Sequence, residues 1–117
     1  MATAQSQSYR QRLLEKQREL TSEIARIESD EEQVAAADSP DVGDRANRAY
    51  DKEALFQQLE QARLILVLVR EAILRMDAGT FGACVACGGA VEPKRLDAVP
   101  WARHCIACQE KQDLGVL

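Results

Sequence analysis

Residues 84–108 read CVACGGAVEPKRLDAVPWARHCIAC, and the four cysteines of this chain all fall inside that stretch. They form two pairs, Cys84-Val85-Ala86-Cys87 and Cys105-Ile106-Ala107-Cys108, separated by seventeen residues. A C-x2-C turn aims two sulfurs at one point, and two such turns complete a tetrahedron. The spacing therefore reads as a four-thiolate zinc site. Gly88 and Gly89 follow the first pair, where glycine lets the backbone turn tightly and point amides at sulfur. Four thiolates leave no open coordination position, so the expected Zn2+ is structural rather than catalytic. His104 is an alternative to Cys105 as a ligand, and the spacing favours the cysteine. A disulfide framework needs an oxidising compartment, and Met1-Ala2-Thr3-Ala4-Gln5-Ser6 lacks the apolar core of a signal peptide. A redox C-x-x-C motif belongs in a βαβ context that this sequence does not offer.

Upstream of the cysteines the chain is helical. Leu13, Leu20, Ile27 and Val34 recur every seven residues, with Ile24 between them and Gln17 and Glu31 at the remaining seam positions. This predicts a helix from about Ser8 to Ala37. The segment Asp38-Ser39-Pro40-Asp41-Val42-Gly43-Asp44 is a turn by composition. A second helix is expected from about Asp44 to Met76. Its apolar positions Leu55, Leu59, Ala62, Leu66, Val69, Ile73 and Met76 alternate steps of four and three, a heptad seam. Gly79 supplies the C-terminal stop. Two long helices across a short turn make an antiparallel hairpin, with an arm of roughly 45 Å at 1.5 Å per residue.

The expected architecture is mainly α. A coiled-coil hairpin over residues 8–77 has an acidic tip at 38–46. A four-cysteine zinc module with a short terminal helix, from about Gln109 to Gly115, fills 78–117. Leu64, Ile65, Val67 and Leu68 lie off the seam, so the zinc module is expected to cover them. Trp101, four residues before Cys105, is expected to pack on the hairpin as core.

Composition narrows the function. The 117 residues carry a formal charge of −4, against the clustered basic face that duplex binding needs. Lys94, Arg95, Arg103 and Lys111 lie near the cysteines, where they offset the −2 charge of a zinc tetrathiolate. No direct nucleic-acid binding is expected. The longest apolar run, Leu64 to Val69, is too short to span a bilayer. A cytoplasmic protein is the expectation.

Acidic residues gather at the tip: Glu28, Asp30, Glu31, Glu32, Asp38, Asp41 and Asp44. Four of them stand near a helix C-terminus, where the macrodipole disfavours negative charge. Asp41 and Asp44 are also spaced as an N-cap and an N3 carboxylate, so capping alone accounts for those two. Capping and a functional acidic tip are compatible, because a cap holds a carboxylate rigid.

Asp41-Val42-Gly43-Asp44-Arg45-Ala46 resembles the D-x-x-D-x-A tip motif of the DksA/TraR family of bacterial transcription regulators. The segments Phe81 to Gly88, Arg95 to Pro100 and Cys105 to Cys108 resemble that family's zinc finger. The similarity spans about residues 10–110. It implies a non-enzymatic factor that binds RNA polymerase, with the hairpin in the secondary channel and the zinc end on the rim. The acting tip residues would be Asp41, Asp44 and Ala46, and open-complex stability the property they change. The family context is the stringent response, in which guanosine tetraphosphate (ppGpp) is held by basic side chains. The corresponding positions here are Leu68, Val99 and Gln109, none of which pairs with phosphate as Lys or Arg would. Weak or absent ppGpp dependence is the expectation. A monomer is expected. The alternative function is a zinc-stapled coiled-coil adaptor, dimeric or bound to another partner, suggested by the off-seam run Leu64 to Leu68.

Overall fold

The computed structural model describes residues 4–36 and 42–116, with side chains at 7–33, 47 and 49–116. The element order is α1 (Ala4–Ala36), α2 (Val42–Ala78), α3 (Pro93–Ala98) and α4 (Ile106–Asp113). Among the described residues the only β feature is one isolated antiparallel bridge, Ala83 to Ala90. The mainly helical architecture, with α1 and α2 packed as a hairpin, is as the periodicity predicts. Two ion pairs fix the helix directions: Glu28 meets Arg63 at 3.6 Å and Arg10 meets Asp77 at 2.9 Å. Numbers that rise along α1 fall along α2, so the helices are antiparallel.

Both long helices start before their expected positions. α1 begins at Ala4 rather than near Ser8, and α2 runs from Val42 to Ala78. The first residues, Ala-Gln-Ser-Gln-Ser, are polar but include no helix breaker. α2 stops where expected: Gly79 has φ +77°, and its N–H and that of Thr80 return to the carbonyls of Met76 and Arg75. α4 starts three residues before the expected position, because Cys105 itself is its N-cap. α3 was not expected from periodicity. It is six residues long, and its signal is Pro93 in the first turn.

The chain divides into two compact units, and both long helices contribute to each. The first unit comprises Met1–Gln17 and Val67–Leu117. Its core joins Tyr9, Val91 and Leu96 with Cys84, Cys105 and Cys108, and Met76, Phe81 and Ala102 pack against it. Leu13, Val69 and Ala72 are fully enclosed. The second unit, Arg18–Leu66, buries Leu20, Ile27, Leu59, Ala62 and Leu66. The heptad seam holds up to Val69. Beyond it Ala72 takes the interior position, and Ile73 and Met76 are only half-buried.

One packing expectation fails. Leu64 is 59% exposed and Val67 49%, so neither is covered by the zinc module; Ile65 and Leu68 are half-buried. The reason is rotational. At 100° per residue, positions 64 and 67 project away from the side that carries Leu59, Leu66 and Val69. Trp101 does meet α1, with the Lys16 ammonium 5.7 Å from its ring centroid, but it is half-buried rather than core. Among the described residues no helix is long and apolar enough to cross a membrane.

Candidate metal centre

The backbone around the cysteines is built to converge four sulfurs. In the first knuckle the Gly88 N–H donates to the Cys84 carbonyl at 2.9 Å, and the Cys84 N–H donates to the Gly89 carbonyl at 2.6 Å. Gly88 reaches φ +77°, a left-handed conformation that a side chain would strain. The turn directs the Gly89 N–H at Cys87 Sγ, 3.4 Å away. The second knuckle is the start of α4: Cys105 caps it and Cys108 lies in its first turn. Amides at a helix N-terminus favour thiolate. The Val85 N–H donates to the Arg103 carbonyl at 2.9 Å and holds the two knuckles together.

α3 and α4 are tied by two side chains. The Glu92 carboxylate accepts the Ile106 N–H at 3.1 Å, capping α4 from outside. The Arg95 guanidinium donates to the His104 carbonyl at 3.0 Å and to Gln109 Oε1 at 3.3 Å. α1 closes the unit from the other side. Tyr9 stacks at a tilt on Phe81, 5.5 Å between centroids, and its hydroxyl donates to Asp97 Oδ1 at 2.5 Å. Arg12 donates to the Asp97 carbonyl at 2.6 Å. Sequence periodicity missed Tyr9, Val91 and Leu96 as core, because their partners lie up to 88 residues away.

The four sulfurs lie within 4.8 Å of one another, and Cys87 Sγ and Cys105 Sγ are 3.8 Å apart. Sulfurs at 2.3 Å from a tetrahedral zinc are about 3.8 Å apart, whereas a disulfide needs about 2.05 Å. All four thiols are free, with three buried and Cys87 exposed. His104 is buried but stands outside the four-sulfur group. The set fits one structural Zn2+ held by Cys84, Cys87, Cys105 and Cys108. Protonation points the same way. Burial pushes the Cys84 thiol up, but hydrogen bonds from the backbone at Cys105, Cys87 and Ala86 and from Cys108 outweigh it and bring it to about 6. Cys108 is pushed up to about 12, first by its hydrogen bond with the Cys105 sulfur, then by burial and by Cys84 and Cys87. One thiol of the cluster gives up its proton readily while another holds its own tightly. A divalent cation replaces those protons with one charge at the centre.

Of the expected tip residues, Asp41 lies outside the described residues. Asp44 and Ala46 fall in the first turns of α2, and their side chains lie outside what is described. The three positions matched to ppGpp contacts are all described. Leu68 is half-buried. Val99 lines an apolar groove with Pro93, Ala98 and Ile106. Gln109 is bonded to Arg95 and, at 3.0 Å, to Asp113.

Comparison with known proteins adds identity to this geometry. Residues 79–113 match the prokaryotic dksA/traR C4-type zinc finger. General stress protein 16O of Bacillus subtilis is 31% identical over 108 residues, 90% of this chain and 66% of that protein. The RNA polymerase-binding transcription factor DksA of Haemophilus influenzae is 29% identical over 82 residues, 65% of this chain and 57% of that protein. The chain thus spans less than two thirds of the length of both. The structure of transcription factor DksA2 from Pseudomonas aeruginosa superposes with a TM-score of 0.80 at 27% identity, covering 94% of this chain and 84% of that one. Zinc finger, helical hairpin and shared fold lead to the same place: this chain belongs to the DksA/TraR family.

Proposed function

We propose that this chain regulates transcription by binding bacterial RNA polymerase in the cytoplasm, without catalysing a reaction. The observation that carries the reading is the fold it shares with DksA2 over 94% of its length. In this reading the hairpin enters the secondary channel and the zinc-bearing end stays on the rim. Asp41, Asp44 and Ala46 act at the tip to change open-complex stability. The charge distribution supports a protein partner. Arg18–Leu66 contains six Lys and Arg against twelve Asp and Glu, a net −6 unsuited to nucleic acid. Response to ppGpp is weak or absent. Val99 offers a mostly apolar groove; of the two cations that line it, Lys94 and Arg95, Arg95 is engaged by the His104 carbonyl and Gln109.

The deciding experiment is open-complex lifetime at a short-lived ribosomal promoter with purified polymerase. The arms are no factor, the zinc-loaded chain and Asp44→Asn, each with and without ppGpp. The expected result is a shorter lifetime with wild type alone and no further change with ppGpp. An unchanged lifetime with folded wild type would sink the reading at that promoter.

The adaptor reading draws on one observation, the exposed apolar side chains Phe56, Leu64, Val67 and Leu74 on α2. A stable dimer in light scattering without polymerase binding would favour it.

A further inference from the structure

The seam that faces α1 is not the only heptad row on α2. The helix is unbroken from Val42 to Ala78. Along it Phe56, Glu60, Arg63, Val67, Arg70 and Leu74 step by 4, 3, 4, 3 and 4, the spacing that keeps one stripe turned to one neighbour. All six are exposed, and Leu64 flanks them at 59% exposure. At 100° per residue the row stands roughly 100° around α2 from the buried seam. Single exposed apolar residues are ordinary. Phe56, Leu64, Val67 and Leu74 on one side of one helix, over about 27 Å at 1.5 Å per residue, make a surface suited to a partner.

The row is complementary to itself when reversed. Positions 56 and 74, 60 and 70, and 63 and 67 are each centred on position 65. A second copy laid antiparallel along the row, with its two-fold axis at 65, sets Phe56 against Leu74 of the partner subunit. It also sets Glu60 against Arg70 of the partner subunit, and lays the Arg63 stem over Val67 of the partner subunit. Each contact occurs twice, as a two-fold interface requires. Glu60 keeps Arg63 at 3.4 Å within its own chain, because a carboxylate accepts several donors. Charge selects the direction. Parallel copies would set Glu60 on Glu60 and Arg70 on Arg70, and would align two arms of −6 each.

We propose that this outer row of α2 is a homodimer interface, closed antiparallel by Phe56 on Leu74 and Glu60 on Arg70. The proposal goes beyond the polymerase reading and does not depend on it. The expected monomer is then the dilute form.

Sedimentation equilibrium of the zinc-loaded chain, from micromolar to millimolar concentration, tests it. The mass should rise from 13.0 kDa towards twice that value. Glu60→Arg and Arg70→Glu each oppose like charges at two symmetric points, and each should weaken dimerisation at least about tenfold. An equimolar mixture of the two variants should recover it, because every such contact then joins Arg to Glu. Leu74→Ser should also weaken it at least about tenfold. That variant should leave thermal unfolding of the dilute chain unchanged, since Leu74 is 65% exposed, and it reads the same interface if a charge variant fails to fold. A monomer at every concentration would overturn the proposal and leave the row to a partner of another kind. A dimer indifferent to all three variants, or no recovery in the mixture, would overturn it as well.

Discussion

The two units of this chain are stabilised by different means. The zinc-bearing unit draws on Met1–Gln17 and Val67–Leu117, and its core contains Tyr9 and three of the four cysteines. The arm unit, Arg18–Leu66, has an interior of Leu, Ile and Ala, and its two aromatic residues, Tyr50 and Phe56, are 76% and 53% exposed. Charge divides the same way. The zinc-bearing unit has nine Lys and Arg against seven Asp and Glu, a net +2, whereas the arm carries −6. A tetrathiolate zinc adds −2 and brings the first unit near neutrality. One unit is thus closed by its metal site, and the other is a helix pair held by a narrow aliphatic seam, whose like charges repel one another. The seam stabilises what it buries, and the arm's net acidity lies outside it, in keeping with the protein partner proposed above.

Removing the metal should separate the two units most strongly. Structural zinc contributes roughly 10–16 kcal/mol of apparent binding free energy, against a typical net domain stability of about 5–15. Chelation should open the zinc-bearing unit. Hydrogen exchange should accelerate throughout 81–113 and in the first turns of α1, and the emission of Trp101, the single Trp of the chain, should change. Amides near Leu20, Ile27 and Leu59 should keep part of their protection. Equal acceleration in both units would break the distinction and make the chain one cooperative body.

Core truncations sharpen the comparison. Leu13 and Ile27 are both essentially inaccessible, at 0% and 1%, but they belong to different units. Leu13→Ala and Ile27→Ala should each destabilise the zinc-loaded protein by about 2–5 kcal/mol in urea unfolding. After chelation Leu13→Ala should have little further effect, because its surroundings are already open. Ile27→Ala should still lower the remaining helicity. The same response from both variants would show that the metal supports the arm as well.

How much of this was legible in the sequence follows from the range of each interaction. The four ligands were readable because C-x2-C turns fix their own geometry within a few residues. The hairpin was readable because Leu13, Leu20 and Ile27, and Leu59 to Val69, repeat at helical spacing. The coverage of Leu64 and Val67 was misread because a continuous apolar run looks buried on all sides, whereas helix rotation sends those two away from the seam. Tyr9, Arg10 and Arg12 were overlooked for the opposite reason. Their partners Asp97 and Asp77 lie 67 to 88 residues away, and no local pattern records such contacts. The tip remains a reading of sequence alone, with Asp41 outside the described residues.

The Tyr9 contact permits a finer test. Tyr9→Phe keeps the ring against Phe81 and removes only the hydroxyl that donates to Asp97. Asp97 is exposed, so water recovers part of the loss, and a cost of about 1 kcal/mol is expected by urea unfolding with zinc bound. The cost should vanish after chelation. A cost that persists without metal would mean that α1 docks on α3 independently of the finger.

The smallest effect belongs to the arm's charges. Arg63 lies 3.6 Å from Glu28 across the helices and 3.4 Å from Glu60 on its own helix, all with exposed side chains. Exposed pairs are worth about 0–1 kcal/mol, and Arg63 keeps Glu60 when Glu28 is lost. Glu28→Gln also removes one negative charge from a unit at −6, which relieves repulsion and offsets the lost pair. The net change should be below about 0.5 kcal/mol at low salt. It should shrink further in 1 M salt, where screening acts over about 3 Å. A loss well above 1 kcal/mol would show that ion pairing, and not the aliphatic seam alone, holds the arm together. The acidic excess would then have a structural use, and its proposed role toward a partner would lose that support.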